Sequence, residues 1–336
     1  MTKVVKVMEE DWDHLIILDA CRYDFFSKMY NKYLEGKLIK AKSVGSCTVE
    51  WLIKSFPDYY NDVVYFSANP YVTSRGEIKL FFGLIRWKAS DHFHKIIDIW
   101  NIGWDDFLGT VPPWKVNEIV LKLKDKYPNK RFIIHYLQPH EPYLYYLSRS
   151  GKFGKPNPMK GEFLRYYKQS KKFLERLVKY LNHYILAKTM HILGLRAGIA
   201  WHIREKFNLP PFSPMDFVRR NYGVHGLRKA YAFNLRIALE FTAILINYLS
   251  GKIVITSDHG EFLGEKGQYS HWWGINDNIL TCVPWFIVKK SKISSLSMVA
   301  KRIKSLCNKY FLKKRIEHVK RTLRQKIRKH PDVKHR

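Results

Sequence analysis

Residues 254–274 read VITSDHGEFLGEKGQYSHWWG. An apolar, β-branched run starting at Ile253 stops at Ser257-Asp258-His259-Gly260-Glu261, and a glycine-punctuated loop then leads to His271. A short apolar run that ends abruptly in polar residues predicts a strand covered on both faces, the condition of a parallel sheet between helices. In such sheets functional groups gather at the carboxyl ends of strands, because the loops there share one rim. Neighbours in a strand point to opposite faces, so Asp258 and His259 can face one ion only from a loop. Gly260 is expected to permit that bend.

The same pattern recurs along the chain. Residues 15–18 run into Asp19, 63–66 into Ser67-Ala68-Asn69-Pro70, and 132–134 into His135 and then Gln138-Pro139-His140-Glu141-Pro142; residues 283–288 form the last strand candidate. Helical periodicity alternates with these runs, over 115–126 after Pro112-Pro113 and over 228–249 before the Ile253 strand. The alternation predicts an α/β fold with an open, doubly wound, mostly parallel sheet. Between about 145 and 222 it stops, and a helical insertion is expected there, with helical patches at 163–181 and 185–207. Residues 1–290 are thus read as one α/β domain carrying that insertion, and 291–336 as a separate basic tail. Leu312, Ile316, Val319, Leu323 and Ile327 form a helical stripe among fifteen lysines and arginines in residues 300–336.

Composition bounds the partners. Lysine and arginine total 59 against 29 acids, a formal charge of +30, which points to an anionic partner. An amphipathic basic tail fits peripheral contact with an anionic membrane, whereas nucleic acid is supported by charge alone. A solvated helix face is the plainer reading of such a run. No apolar stretch approaches the roughly 18 residues of a membrane-spanning helix. Four cysteines without paired spacing, and an amino terminus without a secretory leader pattern, lead to the expectation of a reducing, cytoplasmic setting, at most peripheral at the inner membrane face.

Asp19, His140 and the Asp258-His259 pair all fall at predicted strand ends, and carboxylate oxygen with neutral imidazole suits a divalent cation. Taken singly, each has a plainer reading: a strand-end turn former at Asp19, an exposed loop histidine at 140, a strand-to-helix turn at 258–260. His135, inside a strand pattern, reads as a packed core histidine. Asn69 and Trp272-Trp273 are pocket candidates for which packing is the plainer role.

Together, LIILDACRYD (15–24), HYLQPHEPY (135–143) and SDHGEFLGEKGQYSH (257–271) resemble, in chain order, three motifs of the alkaline phosphatase superfamily, in its sulfatase-like and phosphodiesterase-like branch. The resemblance implies a metal (Mn, Mg, Zn or Ca) held by Asp19, Asp258 and His259, and a nucleophile at the start of the helix after the first crossover. The matching stretch, SVGSCTVEWL (43–52), lacks the Cys-x-Pro-x-Arg setting from which sulfatases make formylglycine. A hydroxyl nucleophile fits better: Thr48 first, also a metal ligand, then Ser46, then unmodified Cys47. His140 and His271 either complete a second metal site or contact the transferred group and protonate the leaving oxygen; the usual aspartate is missing beside His140, so one metal is expected. Arg22 and Asp24 are expected to fix the Asp19 loop. The implied activity is hydrolysis or transfer of an anionic phosphate or sulfate ester. The alternative is a catalytically silent member that binds anionic membrane or nucleic acid.

Overall fold

The computed structural model describes residues 3–80, 85–106, 108–146, 199–209, 211 and 213–289. The expected tail and most of the expected insertion, including the helical patch at 163–181 and the first part of that at 185–207, lie outside the described residues.

Twelve strands are found among the described residues: β1 (Val4–Val5), β2 (His14–Leu18), β3 (Gly36–Ser43), β4 (Tyr60–Ser67), β5 (Ile78–Leu80), β6 (Ile85–Trp87), β7 (Phe93–Asp98), β8 (Arg131–Tyr136), β9 (Ile253–Thr256), β10 (Phe262–Leu263), β11 (Tyr269–Ser270) and β12 (Cys282–Val288). Eight form one sheet in the order β1-β3-β12-β9-β2-β8-β4-β7, while β5-β6 and β10-β11 are separate two-stranded ribbons. Only β12 runs against its sheet neighbours; the other pairings are parallel. The helices are α1 (Tyr23–Met29), α2 (Thr48–Ser55), α3 (Ile99–Ile102), α4 (Pro113–Leu123), α5 (Ile199–Lys206), α6 (Pro214–Leu245) and α7 (Asn278–Thr281).

Two-sided burial explains the continuous apolar strands. In β2, Ile16 and Leu18 pack with Phe26, Val116, Leu235 and Leu239 from α1, α4 and α6, whereas Leu15 and Ile17 pack with Val49, Leu52 and Phe56 on the α2 side. Both periodic faces of the strand therefore meet helices, and neither can be polar. Strands β3 and β7 escape this pattern. GKLIKAKS and FHKIID place polar residues at half-exposed and exposed positions, so neither shows the apolar run.

Pro113 opens α4 after Pro112, a position where a missing N–H costs nothing. Ser213 caps α6 by accepting from the Asp216 N–H, and Pro214 follows. This helix begins fourteen residues before the expected start at 228 and is interrupted at Gly223 (φ 66°, ψ −175°), beside the expected end of the insertion. Gly260 has a different role from the one expected of it: its φ is not positive. Its N–H donates to the Leu280 carbonyl at 2.7 Å, and a Cβ there would lie 1.9 Å from the Ile279 oxygen. Close approach of another backbone requires this glycine.

Candidate active site

Strands β2, β3, β4, β8 and β9 run in one direction, so their carboxyl ends share a rim. Asp19 follows β2, Asn69 lies two residues past β4, His140 four past β8, and Asp258-His259 just past β9. Thr48 opens α2 after β3, with Cys47 in extended conformation at the cap position.

The loops are pinned before any side chain does chemistry. Ser257 Oγ accepts from the Cys21 N–H (2.7 Å) and lies 2.7 Å from the Leu18 carbonyl, joining the ends of β2 and β9. Ala20, at φ 58°, turns its N–H onto Asp258 Oδ1 at 3.0 Å. Tyr231 of α6 donates to the Ala20 carbonyl (2.6 Å) and accepts from the Arg22 N–H (2.9 Å). The Arg22 guanidinium grips Asp24 with two hydrogen bonds and Glu265 with a third, a planar fork on carboxylates.

At the rim, Asp19, Asp258 and His259 are buried and offer ligand atoms all within 4.8 Å of one another. Thr48 Oγ1 lies 2.7 Å from Asp258 Oδ2 and 3.2 Å from His259 Nε2. Asp19 Oδ2 accepts from Asn69 Nδ2 at 2.5 Å, and the same Nδ2 is 3.5 Å from Thr48 Oγ1. The Tyr71 N–H on Asn69 Oδ1 (2.8 Å) fixes which way the amide faces. Asn69, a pocket candidate in the sequence, thus touches both a carboxylate of the cluster and the hydroxyl.

These residues fit a divalent cation. Asp19 Oδ1 is buried without a hydrogen-bond partner, and the ion-pair contacts of Asp19 and Asp258 are with imidazoles only among the described residues. Two buried carboxylates need compensating positive charge, and oxygen donors with one imidazole nitrogen suit several divalent ions. The His259 Nδ1 contact with the Gly260 carbonyl (2.7 Å) places the proton on Nδ1 and leaves Nε2 free as a donor to metal.

The other nucleophile candidates stand apart. Ser46 Oγ is engaged by Glu50 Oε2 (2.6 Å), the Trp272 carbonyl (2.7 Å) and the Ile275 N–H (3.1 Å). Burial pushes the Cys47 thiol up to about 12, so little thiolate forms near neutrality. His135 is buried as expected of a core residue, yet its Nε2 lies 3.5 Å from Asp19 Oδ2 and its Nδ1 2.8 Å from Tyr65 Oη. It borders the site.

A second group, His140, Glu261 and His271, also brings ligand atoms within 4.8 Å of one another. His271 Nδ1 is 3.0 Å from Glu261 Oε1, and the His271 ring lies 4.1 Å from that of His259 and 5.3 Å from that of His140. Glu261 supplies the carboxylate missing beside His140, and the sequence reading did not assign it. The two residues that stand beside His140 are turned to other tasks. Gln138 donates to Thr110 Oγ1 and the Val111 carbonyl, and Glu141 accepts from Ser213 Oγ and the Met215 N–H at the start of α6.

The environments push these groups apart. Burial opposes ionisation of Asp19, but His135, His140 and His259 hold its carboxyl well below the usual range. Burial lowers the basicity of His140, yet Asp19, Glu261 and Glu141 outweigh it and raise the imidazole to about 9. Burial and the neighbouring His140 lower His271 to about 4. Burial raises the Glu261 and Glu141 carboxyls to about 7. Of these two neighbouring imidazoles, His140 therefore holds a proton more tightly than His271.

Trp272 and Trp273 are half-buried and pack on Phe262, Ile275 and Leu280 and on the α2-side core, respectively. No helix among the described residues is long and apolar enough to cross a membrane.

No protein-family model and no curated protein matches the chain. Among solved structures, it is similar to the soluble domain of lipooligosaccharide phosphoethanolamine transferase A from Neisseria meningitidis, at 12% identity, TM-score 0.44, over 82% of this chain and 75% of that one. The C-terminal periplasmic domain of EcEptC from Escherichia coli, in complex with Zn, is similar at 12% identity, TM-score 0.41, over 83% and 72%. The phosphonate monoester hydrolase SpPMH from Silicibacter pomeroyi is similar at 13% identity, TM-score 0.37, over 85% and 68%.

Proposed function

We propose that this protein is a metal-dependent hydrolase or transferase of phosphate or sulfate esters that works through a covalent intermediate on Thr48. The observation that carries the reading is the Thr48 hydroxyl at the head of α2, 2.7 Å from Asp258 and 3.2 Å from His259. The three sequence motifs whose residues meet there support it.

Asp19, Asp258, His259 and Thr48 would hold the cation, which when bound supplies charge neutralisation to the ester and lowers the pKa of the hydroxyl. Thr48 Oγ1 gives its proton towards Asp258 Oδ2, its hydrogen-bond acceptor, and attacks phosphorus or sulfur. The free N–H groups of the first turn of α2 favour the anion there. As the bond to the leaving oxygen breaks, its electron pair stays on that oxygen, and protonated His140 supplies a proton. Asn69 Nδ2, already beside the nucleophile, donates to an oxygen of the transferred group. His271, neutral and oriented by Glu261, takes a proton from the water or acceptor hydroxyl that resolves the intermediate.

His140 and His271 therefore act on the substrate, and a single cation is proposed. The basic balance of the chain and the apolar stripe of its tail support an anionic ester presented at a membrane surface, with the protein peripheral on the cytoplasmic face. Aryl phosphate, phosphodiester and sulfate esters assayed with Mn²⁺, Mg²⁺, Zn²⁺ or Ca²⁺ test the reading. Turnover of at least one of them by wild type, abolished in Asp258→Ala, is expected. Wild type and Asp258→Ala equally inert towards all of them would overturn it.

A further inference from the structure

The loop that carries His140 cannot hold itself in place. Gln138-Pro139-His140-Glu141-Pro142-Tyr143-Leu144 contains two prolines without N–H groups, and the carbonyls of Pro139, His140 and Pro142 are met by a donor outside the loop. One side chain meets them. Asn234 of α6, fully buried, places Nδ2 at 3.2 Å from the Pro139 carbonyl, 3.0 Å from that of His140 and 3.2 Å from that of Pro142, while its Oδ1 accepts from the Leu144 N–H at 2.9 Å. Only an amide offers donors and an acceptor at the two ends of one short planar group. Aspartate would face three carbonyls with a carboxylate, and leucine would leave all four groups unpaired.

The ring itself is set from the same loop. The Glu141 carbonyl lies 2.7 Å from His140 Nδ1, so that nitrogen carries a proton held by the backbone and Nε2 is the ring nitrogen left for a further partner. The His140 N–H donates to the Asp19 carbonyl at 3.1 Å. Tyr231, one turn before Asn234 on α6, holds the Asp19 loop through the Ala20 carbonyl and the Arg22 N–H. A single helical face therefore spans two catalytic loops, and Asn234 is its hold on the second.

We infer that Asn234 is a positioning residue for leaving-group protonation, aiming His140 Nε2 at the departing oxygen through the backbone of residues 139–144. The inference rests on the reading of His140 given above. In that step the ester bond breaks, its electron pair remains on the leaving oxygen, and the Nε2 proton of His140 passes to it. Misplacement of Nε2 is therefore felt most where the leaving oxygen is most basic.

The test uses the full chain with the metal that supports turnover, and pairs an aryl ester with an alkyl ester of the same acid. Asn234→Asp is expected to lower kcat with KM little changed, and to cost about 10²-fold on the alkyl ester but far less on the aryl ester. In a His140→Ala background the same substitution is expected to cost almost nothing further, because it acts through that ring. Asn234→Ala, which leaves room for water to meet the carbonyls, is read in the same way if the aspartate variant does not fold. Equal losses on both esters, or a full loss on top of His140→Ala, would show a merely structural residue and overturn the assignment. A wild type inert towards every ester would instead sink the functional reading and the assignment with it.

Discussion

The hydroxyl of Thr48 and the carboxylate of Asp258, 210 residues apart in sequence, are 2.7 Å apart in the fold. That contact makes Thr48 the expected nucleophile. Thr48→Ala is expected to lower kcat by at least about 10³-fold, whereas Thr48→Ser retains measurable turnover. Mass spectrometry of protein quenched during turnover should find the transferred group on the peptide carrying Thr48. The same adduct on a Thr48→Ala protein would exclude this residue.

Metal should stabilise the fold through the same cluster. A cation at a hundred times its dissociation constant adds about 2.7 kcal/mol, so the melting temperature of chelator-treated protein should rise with added divalent ion. The rise is expected to vanish in Asp19→Ala and Asp258→Ala. Titration calorimetry should give one equivalent in wild type and one in His271→Ala. Loss of an equivalent in His271→Ala would mean that His140, Glu261 and His271 hold a second ion.

The metal-free protein should weaken as pH rises. The Glu261 and Glu141 carboxyls are raised from 4.5 to about 7 and His140 from 6.5 to about 9. Each binds its proton more tightly folded than unfolded, so their stabilisation is complete below the unfolded values and is lost as pH climbs through about 7 and about 9. His271, lowered from 6.5 to about 4, acts oppositely and withdraws its contribution as pH falls through that range. Melting temperatures of chelated protein should therefore decline from mildly acidic to alkaline pH. Glu261→Gln should flatten the part of the decline between about pH 4.5 and 7, and an unchanged slope in that variant would refute the assignment.

Gly260→Ala should be poorly tolerated although its backbone angles suit alanine. The new methyl would meet the Ile279 carbonyl at 1.9 Å and force the 279–280 backbone away from the 258–260 loop. Overpacking of this kind costs about 1–3 kcal/mol, and urea denaturation should read it. Wild-type stability would show that the contact yields freely.

What the sequence made legible follows from burial. Strands β2, β4, β8 and β9 are covered on both faces, so their apolar runs announced them and their ends marked Asp19, His140, Asp258 and His259. Strands β3 and β7 have exposed and half-exposed positions filled by lysine and histidine, and no run announced them. Glu261 was hidden for a different reason. Its partner His271 lies ten residues on and returns to it only through the β10-β11 ribbon, where Phe262 pairs with Ser270. The task of Glu141 was equally invisible, because Ser213 and Met215 come from seventy residues downstream.

The strand order has a consequence for how this molecule comes into being. Strands β9 and β12, the last of the sheet to be synthesised, lie side by side in its middle, with β1-β3 on one flank and β2-β8-β4-β7 on the other. Until they arrive, the nascent chain can assemble two separate ribbons, each exposing an unpaired edge, with Thr48 on one and Asp19 on the other. A chain that stops between β8 and β9 is therefore expected to hold Thr48 and Asp19 on two separate, aggregation-prone pieces of sheet, without the Asp258-His259 pair that joins them.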